Sequence, residues 1–84
     1  MTLPTEPVTL NVEQINELHG KLAVLRHDVN NQISLIVAAV ELIRRRPEVT
    51  ERMLTMLVEQ PQKISEAIAQ FSGAAESMLQ ITRP

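Results

Sequence analysis

The chain has no cysteine, tryptophan or tyrosine, and its one aromatic residue is Phe71. Without cysteine there is no disulfide and no thiolate metal site. Two histidines and a single aspartate leave little for a metal centre of any kind. Only two glycines, Gly20 and Gly73, interrupt the apolar segments, and the five prolines fall mainly toward the ends. Long elements are therefore permitted. A net charge of −2 gives no general attraction to nucleic acid or to anionic membranes. The apolar run Ile33 to Val40 is far shorter than the ~20 residues of a spanning helix. The first ten residues lack the basic start and apolar core of a signal peptide. These absences predict a cytoplasmic protein with no nucleic-acid partner and no membrane span.

What is present is aliphatic. Hydrophobic residues make up 44% of 84 residues, almost all Leu, Ile, Val, Ala and Met. Most of these favour helix, and the length is near the lower limit for a self-sufficient core. An all-α domain is expected. Residues 1–10, with Pro4 and Pro7, read as a loose arm. Asn11 is suited to cap a helix, and Gln14 stands at capping-box spacing. From there Ile15, Leu18, Leu22, Leu25, Val29, Ile36, Ala39 and Ile43 hold the a and d positions of one heptad frame, with Gln32 as its polar entry. That is the seam of a bundle or coiled coil, sustained over about four heptads. Between Ile33 and Ile43 only Ser34 and Glu41 are polar, so this part is apolar nearly all round.

Arg44, Arg45 and Arg46 suit a helix C-terminus, and Pro47 stops the helix at about residue 45. Pro47, Glu48 and Glu51 then suit the start of a second helix, over about 48–82. Its seam is Leu57, Ile64, Phe71 and Met78 with Met53, Gln60, Ala67, Ala74 and Ile81. Pro61 lies inside it and predicts a kink, since proline removes a helix bond and crowds the preceding turn. Gly73 is read as a place where helices approach closely. The short connection makes the pair an antiparallel hairpin. Two helices of about 50 Å cannot enclose a core. Homodimerisation into a four-helix bundle, with 11–84 as the hairpin domain, would cover the exposed apolar faces.

One group of polar residues stands out against this frame. With Leu22 and Leu25 at a and d, His27 falls at f, farthest from the seam, on a line with Gly20, Ser34 and Glu41. An exposed histidine alone is an ordinary solvated side chain. Here Asp28 is adjacent and in principle able to fix the ring tautomer from Nδ1, leaving Nε2 as nucleophile. Neighbouring residues are about 100° apart on a helix, so that contact is oblique. Asn31, four residues on, shares the face of His27. His19, at e and without an adjacent acid, is a boundary residue of the seam.

Leu25-Arg26-His27-Asp28-Val29-Asn30-Asn31 resembles the H-box of the dimerisation and histidine-phosphotransfer domain of sensor histidine kinases. His27, Asp28 and Asn31 match its pattern of His, acid, two variable residues and Asn or Thr. The resemblance extends in architecture over about residues 11–82, because that domain is a helical hairpin that dimerises with its H-box exposed. It implies that His27 accepts a phosphoryl group from ATP or a phosphoaspartate, that Asp28 acts as general base, and that Asn31 serves phosphoryl transfer or positions water in a phosphatase reaction. It also implies a receiver domain of a response regulator as partner. Two features depart from the family. Gln32 stands where many members have proline, and no motif of an ATP-binding domain is present. ATP and Mg would then enter only through a separate catalytic domain, with no cofactor bound by this chain. The chain would be part of a histidine kinase or a standalone phosphotransfer protein. The rival readings are a non-catalytic dimerisation hairpin and a regulatory decoy that binds a kinase or receiver without being phosphorylated. All share one fold.

Overall fold

Asn11 starts the first helix in the way its side chain favours. The computed structural model describes residues 2–80. Asn11 has extended backbone, φ −81° and ψ 173°, and its side chain accepts from the Gln14 N–H at 2.8 Å. Gln14 Oε1 in turn accepts from the Asn11 N–H at 2.9 Å, completing a capping box. Helix α1 then runs unbroken over Val12–Arg45. Arg46 leaves helical geometry at φ −135° and ψ 81°, as a residue before proline must, and its N–H still donates to the Leu42 carbonyl at 2.7 Å. Arg44 and Arg45 lie in the last turn, where both reach Glu41, at 3.5 and 4.0 Å. These ion pairs are exposed and add little stability.

The second helix begins later than its sequence predicts. Pro47–Val49 forms a single 3₁₀ turn, closed when the Thr50 hydroxyl donates to the Pro47 carbonyl. Helix α2 spans Thr50–Met78. At its end Gln80 takes a left-handed backbone, φ 57°. Ile81 and the expected helix end at 82 lie outside the described residues. Among the described residues there is no β-strand, and α1 and α2 form a hairpin. The arm places Thr2 to Pro7 beside Gln80 at the open end.

The heptad seam is the covered surface. Leu18, Leu25, Val29, Gln32, Ile36 and Ile43 are half-buried and Ala39 is buried. On α2, Met53, Leu57, Ile64, Ala67, Phe71, Ala74 and Met78 are half-buried and Gln60 is buried. Ile15 and Leu22, although on the seam, remain exposed near the open end. The Cα envelope measures 58 × 28 × 12 Å, a slab one helix layer thick. Two helices packed 8–10 Å apart cover one stripe of each other and no more.

Pro61 does not split α2, which is helical on both sides of it. The turn before it is unusual. Gln60 is only 1% exposed, and its Nε2 donates back to the Met56 carbonyl at 2.9 Å and contacts Met56 Sδ at 3.2 Å. Its Oε1 is buried without a donor, and so is Gln32 Oε1. Leu25 packs beside Ala67 and Phe71. One heptad along α1 and one heptad back along α2, the corresponding layer holds Gln32, Gln60 and Ile64. The two seam glutamines therefore share a layer halfway along the hairpin. Gly73 is not a close-approach glycine: a Cβ there would meet nothing within 4 Å, because the position is exposed.

Candidate functional site

His27, Asp28 and Asn31 lie in the middle of α1, where i→i−4 backbone bonding sets their directions. His27 and Asn31 are exposed and one turn apart on the outer face. Neither has a side-chain hydrogen bond or ion pair within the described residues. Ala23, one turn before His27, is small, so the ring is approachable from that side as well. The imidazole has both nitrogens available to an incoming group.

Asp28 goes elsewhere. It is half-buried and lines a shallow recess between the helices with Lys21, Val24 and Leu25 of α1 and Ala67, Gln70 and Phe71 of α2. The roughly 100° step between neighbouring helical residues turns it to the flank of the hairpin while His27 points outward. The structure brings His27 and Asn31 together and leaves no hydrogen bond between Asp28 and His27. Proton transfer between them requires Asp28 to change rotamer toward the ring.

Sequence reasoning did not anticipate the recess or the α2 residues that flank the acid. A signal for it exists. Lys21, Asp28 and Gln70 all hold the heptad position next to a, so on an antiparallel pair they meet at one flank. Among the described residues no group of three or more His, Cys, Asp or Glu side chains is arranged to hold a metal ion, and no helix is long and apolar enough to cross a membrane. His19 is exposed, one flank away from the seam.

No family model, characterised protein or solved structure matches the chain. The residues and their geometry are therefore the basis of the functional reading.

Proposed function

We propose that the chain is the phosphoacceptor module of a two-component phosphorelay, carrying a phosphoryl group on His27 as a homodimeric four-helix bundle. The observation that carries this reading is the unpartnered His27–Asn31 pair on the outer face of α1, with Asp28 one residue away on the flank. An exposed imidazole free of internal bonds is what a nucleophile needs in order to meet a second protein. From a receiver phosphoaspartate, the Nε2 lone pair attacks phosphorus. The N–P bond forms as the acyl-phosphate P–O bond breaks, the aspartate carboxylate departs, and the Nδ1 proton passes to Asp28. Asn31 hydrogen-bonds a phosphoryl oxygen during transfer. A kinase ATP-binding domain with Mg would load the same nitrogen, with ADP leaving.

The test is label transfer from a phosphorylated receiver, or from an ATP-binding domain supplied in trans. Wild-type chain should acquire acid-labile label, and His27→Gln should acquire none while melting as wild type does. Label that persists in His27→Gln refutes the assignment. Stable receiver binding without any label favours the decoy reading instead.

A further inference from the structure

Asn30 precedes Asn31 and is exposed as well. It too has no side-chain hydrogen bond or ion pair within the described residues. Asparagine is a poor helix former, because its amide competes for nearby backbone groups. Of the four asparagines in the chain, Asn11 caps α1 and Asn16 stands alone. Asn30 and Asn31 stand in succession near the middle of the 34-residue α1. Together they weaken that helix, and neither returns a bond to it.

Their spacing from His27 gives them a direction. Side chains three and four residues apart on a helix are neighbours, about 5–6 Å between Cβ atoms. Asn30 and Asn31 are the third and fourth residues after His27. At about 100° per residue, one lies about 60° to one side of its line and the other about 40° to the opposite side. Both lean toward the helix N-terminus, over the turn that carries the imidazole. The two amides therefore flank one approach to the ring. The charge pattern agrees. No charged residue holds an outer position, b, c or f, of α1 between Glu17 and Glu41, and Asp28 is turned to the flank. Nothing on that face repels an anion, and what stands beside His27 are N–H donors. His19 is the contrast on the same helix. It is exposed, but the third and fourth residues after it are Leu22 and Ala23. Asn16, on its other side, is the one amide within a turn, with Glu17 close by.

We propose that Asn30 is a second phosphoryl-binding residue, so that two amides hold the group arriving at His27 between them. The proposal rests on the phosphoacceptor reading of His27 and adds a residue to it. A transferring phosphoryl group spreads its charge over three equatorial oxygens. Asn31 Nδ2 donates to one, Asn30 Nδ2 donates to a second, and the third faces the incoming partner or water. Hydrogen bonds to a charged acceptor are about twice as strong as neutral ones. The amides address the phosphoryl group and not its carrier, so they act on any phosphoryl donor.

Phosphoramidate, which phosphorylates histidine without a protein partner, tests this on the full chain. Nε2 attacks phosphorus, and the new N–P bond forms as the reagent's P–N bond breaks. Ammonia leaves, and the Nδ1 proton passes to buffer. Peptide mass spectrometry at neutral pH reads His27 and His19 in the same sample. His27 should acquire phosphate about tenfold faster than His19. Asn30→Ala, which favours helix, should slow His27 about three- to tenfold. Asn30→Asp should slow it further, because a carboxylate replaces the donor. Asn30→Gln, which keeps an N–H donor, should recover most of the rate. His19 should react alike in all of them. Wild-type labelling of His27 in Asn30→Ala overturns the role of Asn30, and so does a slowing that strikes His19 equally. Equal rates at His27 and His19 in the wild type overturn the amide pair as a whole. None of these three results bears on the phosphorelay reading, which transfer from a receiver decides. Conversely, phosphoramidate labelling that depends on Asn30, without transfer from any receiver or ATP-binding domain, supports the amide pair and removes the phosphorelay reading.

Discussion

Asp28 carries the sharpest question at the scale of single residues. It is adjacent to His27 in sequence but lines a recess with Lys21 and Gln70 in space. As a general base it must leave that recess and accept a proton from the ring, a contribution of about a hundredfold or more in rate. As a recess residue it only shapes the flank. Asp28→Asn separates the two roles, because the amide keeps the shape and loses the basicity. The expected outcome is label still stable on His27 but acquired about a hundredfold more slowly, with unchanged receiver affinity, in a quenched time course. Labelling at the wild-type rate would assign Asp28 to the flank alone. The exposure of His27 was legible from its f position, since the side-chain period of a helix fixes direction relative to the seam. The flank that Asp28 shares with Gln70 was readable from the heptad position next to a, but which α2 residues stand level with it was not, because that depends on the stagger between helices, which the turn at Pro47–Val49 sets.

Two amides govern the middle of the hairpin at the scale of elements. Gln32 and Gln60 were readable as polar entries of an otherwise apolar seam. What could not be read was that their oxygens would both lack donors, because that depends on rotamers and on the back-bond from Gln60 Nε2 to the Met56 carbonyl at 2.9 Å. The unbroken course of α2 through Pro61 was also only partly legible: the seam keeps its phase across the proline, which argues for one helix, yet the lost bond argues for a bend. A buried acceptor without a partner costs about 1–3 kcal/mol. Gln60→Leu removes one such acceptor at similar volume and strips nothing from the Met56 carbonyl except a second donor. It should therefore raise the urea midpoint with an unchanged slope, a gain of about 1 kcal/mol. A loss of stability on this substitution would mean that the glutamine layer is satisfied in solution, by water or by its own two members. The predicted start of α2 near residue 48 shifted for a local reason. The Thr50 hydroxyl closes a 3₁₀ turn on the Pro47 carbonyl, and helical bonding begins after it.

At the scale of the whole molecule, stability should depend on how many copies are present. Among the described residues only Ala39 and Gln60 are fully buried, in a slab with a 12 Å short axis. So thin a fold leaves most apolar side chains only half covered, and half-coverage forfeits much of the ~25 cal/mol per Å² that burial supplies. If the missing coverage comes from a second copy, folding and association are one equilibrium, and mass action must appear in the melting temperature. Each tenfold rise in concentration adds about 1.4 kcal/mol per dimer, or roughly 3–5 °C for a folding unit of two such chains. Calorimetry or circular dichroism over two decades of concentration should show that slope in the wild-type chain. Val58→Glu, which keeps the hairpin seam and places a charge on an exposed apolar side chain, should melt lower and lose the slope if that side chain is covered by the second copy. A concentration-independent melting temperature in the wild type would mean that the two-helix seam is sufficient by itself, and the exposed apolar side chains would then need some occupant other than a second copy.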